Sequence, residues 1–116
     1  MNVKQFYLDI NGNYQGALSI MMNDMLIERM IRKFMGDNSC KEIVSCYQEG
    51  KLHDVFTLSH TLKGVAGNLA LTPLFDIACV ITEATRNNDK ADIAKEIKQL
   101  EDIYSLIEES FQKNIW

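Results

Sequence analysis

The chain has 116 residues, 47% of them apolar, with a single proline, six glycines and a formal net charge of −4. That length suits one domain with a core of its own, and the scarcity of glycine and proline excludes fibrous and disordered classes and favours helices. The acidic balance argues against nucleic acid, whose phosphates would call for clustered lysine and arginine.

Val3, Phe6, Tyr7 and Ile10 recur at i, i+3, i+4 and i+7 and predict a short amphipathic helix, broken at Asn11-Gly12-Asn13. A second short helix carries Ala17, Leu18 and Met21. Asp24 is positioned to cap the next one, whose apolar stripe is Ile27, Met30, Ile31 and Phe34. Gly36-Asp37-Asn38-Ser39 reads as a break or kink, after which Ile43, Val44 and Tyr47 continue the stripe to Gly50, a good residue for ending a helix. Leu52 to Leu69 reads as one helix with Val55, Leu58, Leu62, Ala66 and Leu69 inward. Thr72-Pro73 is a start signal, threonine as the cap and proline in the first turn, for a helix placing Leu74, Ile77, Ala78 and Ile81 together. That helix fades at Asn87-Asn88-Asp89, and Ile93, Ile97, Leu100, Tyr104, Ile107 and Phe111 mark the last helix.

No stretch alternates with period two, so the expected fold is all-α. Short connections between long amphipathic helices predict an antiparallel four-helix bundle over 22–113. The two short helices of 1–21 would pack on one end, and 114–116 would form a tail, all within one domain, 1–116. The three cysteines, Cys40, Cys46 and Cys79, lack Cys-x-x-Cys spacing and read as reduced thiols. Neither a signal-like N-terminus nor an apolar run near the roughly 20 residues that span a bilayer is visible, so a soluble, cytoplasmic protein is expected; a monomer is the expected state.

One segment departs from ordinary helix composition: Leu58-Ser59-His60-Thr61-Leu62-Lys63-Gly64-Val65-Ala66-Gly67-Asn68-Leu69. A glycine in a helix interior costs about 0.8–1 kcal/mol relative to alanine, and this helix holds two. Gly64 and Gly67 fall on the side of His60, at i+4 and i+7, with Lys63 at i+3 between them. An imidazole in water titrates near about 6.5, so at neutral pH one ring nitrogen is free as a nucleophile. A phosphoryl group there would bring close to two negative charges, which a lysine one turn away can partly offset. Two glycines would leave a depression for a partner's active site to enter. A lone histidine is more often a residue without a role; the company of Lys63, Gly64 and Gly67 sets His60 apart.

The string His60-Thr61-Leu62-Lys63-Gly64, followed by Ala66-Gly67-Asn68-Leu69, resembles the signature of histidine-containing phosphotransfer (HPt) domains of multistep two-component phosphorelays. The likeness covers about Met22 to Phe111. It implies that His60 is the phosphoacceptor, that Lys63 assists the phosphate and that Gly64 gives clearance. Phe56 and Thr57 join Gly64 and Gly67 in the expected docking surface. Where the family often has a further glycine, Ala70 and Leu71 follow here. The implied function is a phosphocarrier that is not itself an enzyme, taking a phosphoryl group from one receiver-domain aspartate to another. The implied partners are receiver domains and a hybrid sensor histidine kinase.

No Gly-rich phosphate loop, Ser-His-Asp set or paired carboxylate site is visible, and no cofactor is expected. His53 lies seven residues before His60, about 10.5 Å along a helix axis, too far to share a metal. The methionines Met21, Met22, Met25, Met30 and Met35 could form an adaptable docking surface, but core packing is the preferred reading. The alternative function is a helical module that binds a receiver or kinase without accepting phosphate.

Overall fold

Asparagine opens each of the first three helices of the computed structural model, which describes residues 1–116. These helices are α1 (Val3–Asp9), α2 (Tyr14–Met21) and α3 (Asp24–Met35). The side-chain oxygens of Asn2, Asn13 and Asn23 accept from the N–H groups of Gln5, Gly16 and Leu26 at 3.0, 2.9 and 2.8 Å. Each satisfies one of the donors that a helix start leaves without a partner. The cap of α3 is therefore Asn23 rather than Asp24. Asp24 sits inside the first turn, where its charge suits the positive end of the helix dipole, and its carboxylate accepts from the Tyr14 hydroxyl at 2.6 Å.

The Gly36–Asn38 segment is a full break, not a kink. Helix α4 (Ser39–Gln48) restarts after it, with the Ser39 N–H donating to the Asp37 carboxylate at 2.9 Å. Gly50, at a φ of +74°, ends α4 in the left-handed region that glycine enters without strain. Helices α5 (Leu52–Asn68), α6 (Thr72–Thr85) and α7 (Ala94–Asn114) follow, and no strand forms. At α6 the cap position is Leu71, without a side-chain bond; Thr72 is already helical, and Pro73 occupies the first turn, where its missing N–H is not needed.

Helices α4 to α7 make the antiparallel four-helix bundle, with α5 and α6 the most extensively packed pair. The bundle thus begins after α3 and not at residue 22, and 114–116 is no free tail, since Asn114 ends α7 and Ile115 is buried. The expected α7 stripe, Ile93 to Phe111, is buried throughout, as are Val55, Leu62, Ala66 and Leu69 of the α5 region; Leu58 is half-buried. Helix α3 packs on α1 and α2 and reaches the end of the bundle, where its Phe34 meets Tyr104 of α7 edge-on at 6.2 Å and its Arg32 donates to the Ile115 carbonyl at 2.9 Å.

The N-terminal segment holds the end of the bundle where α5 and α7 finish. The Asn2 N–H donates to the Asn114 carbonyl at 2.7 Å, the Ser110 hydroxyl to the Phe6 carbonyl at 3.2 Å, and the buried Tyr7 hydroxyl to the Leu69 carbonyl at 2.7 Å. Burial pushes the Tyr7 phenol above its ordinary range. Ala70, where a glycine would be expected, has a φ of +54° and closes α5: the Leu71 N–H reaches back to the Ala66 carbonyl at 2.9 Å. No helix of the structure is long and apolar enough to cross a membrane.

Candidate functional site

Helix α5 turns Val55, Ser59, Leu62 and Ala66 into the bundle, and this register leaves His60 on the solvent face. Ser59 was not singled out from the sequence, yet it is fully buried. Its hydroxyl donates to the Phe56 carbonyl at 3.1 Å and accepts from Thr82 of α6 at 3.0 Å; the Thr82 proton is shared with the Ala78 carbonyl at 2.7 Å. This tie joins α5 to α6 directly behind His60 and fixes the helix that presents the imidazole. A hydroxyl residue in an otherwise apolar stripe was the available signal, and only its partner on α6 gives it meaning.

Around His60 the expected residues divide. Lys63 is half-buried, one turn on. At Gly64 nothing beyond the adjoining residues and the helix's own backbone lies within 4 Å of where a Cβ would stand, so the surface beside His60 is open. Gly67 is different: an added Cβ would sit 3.2 Å from the Phe75 ring of α6, so this glycine permits close helix packing. Thr57 is exposed, with its hydroxyl donating to the His53 carbonyl at 3.2 Å, and Thr61 repeats that pattern onto Thr57. Phe56 is half-buried, with its ring centroid 6.1 Å from that of His60.

Glu83 in the last turn of α6 and Arg86 just beyond it complete the surroundings, and sequence reasoning missed both. The Arg86 guanidinium stands 5.2 Å from the centroid of the Phe56 ring and pairs with Glu83 at 3.1 Å. The Arg86 hydrogen bond and charge hold the Glu83 carboxyl below its ordinary value, with the Lys63 ammonium adding to the effect. The spacing from α5 to the C-terminal turn of α6 depends on how the two helices pack, so no local motif announces it.

His53 does not share the His60 site. It opens on a separate groove of about 390 Å³ lined also by Phe56, Thr85, Asn87, Asn88 and Asp89. No three His, Cys, Asp or Glu side chains converge in a metal-binding arrangement. The cysteine thiols are free, and burial, aided by Asp37 and Glu108, pushes Cys40 up to about 12, which makes it a poor nucleophile. The methionines split: Met21 is buried and Met30 and Met35 half-buried, as expected for core, while Met22 and Met25 are exposed at 81% and 71%. A groove lies between Met21, Met30 and Phe34 on one side and Val65 and Leu69 on the other, with Lys33, Asp37 and Asn68 at its edge; Val65 is one residue beyond Gly64.

The site thus offers one solvent-facing imidazole, a cation one turn away and an unobstructed approach. It can accept or release a group brought by another molecule. The family model described as the Hpt domain matches residues 20–110 of the chain. Neither the curated proteins nor the solved structures compared with the chain gave a match.

Proposed function

The chain belongs to the Hpt domain family, and from that premise we propose that His60 is the residue that carries the phosphoryl group. Members of the family are helical histidine phosphotransfer domains of phosphorelays; they are phosphocarriers rather than kinases and interact with receiver domains and kinases. The observation that carries the assignment is the open surface at His60, flanked by Lys63 and by a Gly64 with no neighbour.

In this reading a free imidazole nitrogen of His60 attacks the phosphorus of a receiver's aspartyl phosphate. The N–P bond forms as the acyl P–O bond breaks, the aspartate leaves as a carboxylate, and the imidazole gives up its remaining N–H proton to solvent. The reverse step on a second receiver's aspartate returns the imidazole. The chain's own contribution is position and charge: α5 holds the imidazole, Lys63 offsets the phosphoryl charge, and Gly64 lets the reacting atoms come to about 3–3.5 Å. Phe56 and Thr57 on one side, and the groove beyond Val65 on the other, supply the docking surface. Gly67 serves it indirectly, by seating α6 against α5. A hybrid sensor kinase fits as the upstream donor, and the cytoplasm is the compartment this reading asks for.

The test is incubation with a phosphorylated receiver domain. Acid-labile label should appear on the native chain, be absent from His60→Gln and be near normal in His53→Gln. Label persisting on His60→Gln would refute the assignment. Receiver binding without any label would favour the phosphate-independent interaction module.

A further inference from the structure

On the α6 side of His60 lies a group of charges whose arrangement a phosphoryl group would change. Arg86 rests over Phe56, whose ring neighbours the imidazole, while its guanidinium pairs with Glu83. Glu83 also feels Lys63, the cation nearest in sequence to His60. One carboxylate is therefore paired directly with Arg86 and lies, without an ion pair, in the field of Lys63. With side chains 67% and 45% exposed, the Glu83–Arg86 pair is screened by water and easily exchanged.

We propose that Glu83 is a resting counter-ion which a phosphoryl group on His60 displaces, taking over Lys63 and Arg86. The inference rests on the assignment of His60 as phosphoacceptor. A phosphoryl group presents close to two negative charges and three acceptor oxygens, against one charge on the carboxylate. The guanidinium fork matches phosphate geometry, so Arg86 exchanges a weak surface partner for a stronger one. Phe56 guides the exchange, because its ring neighbours both the guanidinium and the imidazole. Glu83 and Arg86 are thus positioning residues, acting on the charge around the phosphohistidine.

The exchange has a consequence for the lifetime of the carrier. Loss of the group to water passes through a loose, metaphosphate-like state in which charge leaves the phosphoryl oxygens for the breaking N–P bond. Cations gathered on those oxygens hold the ground state more than this transition state and slow the loss. Glu83, by competing for the same cations, shortens the lifetime and keeps the group transferable.

Phosphoramidate serves as a receiver-free donor to test this: the imidazole nitrogen forms the N–P bond, the donor's P–N bond breaks, and ammonia leaves with a proton. The full chain carrying His53→Gln is loaded, and the half-life of the phosphohistidine is followed at neutral pH and at low and high salt. Glu83→Gln should lengthen it and Arg86→Gln shorten it by roughly two- to fivefold, the range open to exposed charge pairs, with both effects shrinking in high salt. In the native chain the Arg86 Nε–H resonance should move on phosphorylation, and it should stay fixed in His60→Gln treated alike. Thermal melts that match the parent establish that the variants are folded. A labelled His60 with unchanged half-lives in both variants, or an unmoved Arg86 resonance, would overturn the exchange alone. Failure of His60 to label would overturn the phosphoacceptor assignment itself, and the exchange with it.

Discussion

Two glycines of α5, Gly64 and Gly67, stand one turn apart and look alike in the sequence. The space around Gly64 is empty, whereas the Phe75 ring of α6 closes over Gly67. The first glycine weakens the helix and gains no packing in return, so its reason has to be sought in what approaches from outside. The second is explained by the fold. The stretch around Gly64 meets solvent on its open side, while the stretch from Gly67 to Ala70 is held by α6, by the Tyr7 hydroxyl on the Leu69 carbonyl and by the Asn13 N–H on the Ala70 carbonyl. A glycine by itself therefore marks neither a functional surface nor a packing contact; its neighbours in space decide.

The largest effect should come from filling the open side. Gly64→Leu enters no packed core, so the variant should melt near the native temperature, while transfer from a receiver falls about 100-fold through misplacement of the reacting atoms. Stopped-flow transfer beside a thermal melt reads both quantities. A large drop in melting temperature with transfer intact would erase the contrast between the two ends of α5.

Gly67→Leu should do the opposite in kind. Forcing a side chain against Phe75 should lower stability by about 1–3 kcal/mol, measured by denaturant unfolding. A fully stable Gly67→Leu chain would mean that α6 can move off α5 freely.

Ala70 adds a third point on the same helix. An L-residue in the left-handed region costs about 1–2 kcal/mol, part of which glycine returns through its freer unfolded chain. Ala70→Gly should therefore stabilise the chain by about 1 kcal/mol, and a loss of stability would show that the methyl packs usefully. Gly64→Ala should stabilise by a similar amount, about 0.8–1 kcal/mol, because the added methyl meets nothing.

Lys63→Ala should have the smallest effect on folding. Its melting temperature should stay within a few degrees of native, while phosphoryl transfer slows and loses part of its dependence on salt. Transfer unchanged at every ionic strength would reduce Lys63 to a solvated charge.

Period and punctuation in the sequence were enough for the helices, because burying an amphipathic stripe requires apolar residues at fixed steps whatever the partner helix. The α7 stripe from Ile93 to Phe111 and the α1 face of Val3, Phe6, Tyr7 and Ile10 are buried as that spacing demands. Helix starts were less legible: Asn23 and Leu71, not Asp24 and Thr72, hold the cap positions, since a cap depends on the backbone conformation of one residue and neighbouring polar residues compete for it. His60, Lys63 and Gly64 could be gathered from a single string because one helix brings them together at i, i+3 and i+4. Glu83, Arg86, Ser59 and the reason for Gly67 could not. Their roles depend on α6 lying against α5 at one depth and rotation, which the packing of both helices into the bundle settles and no local run of residues encodes.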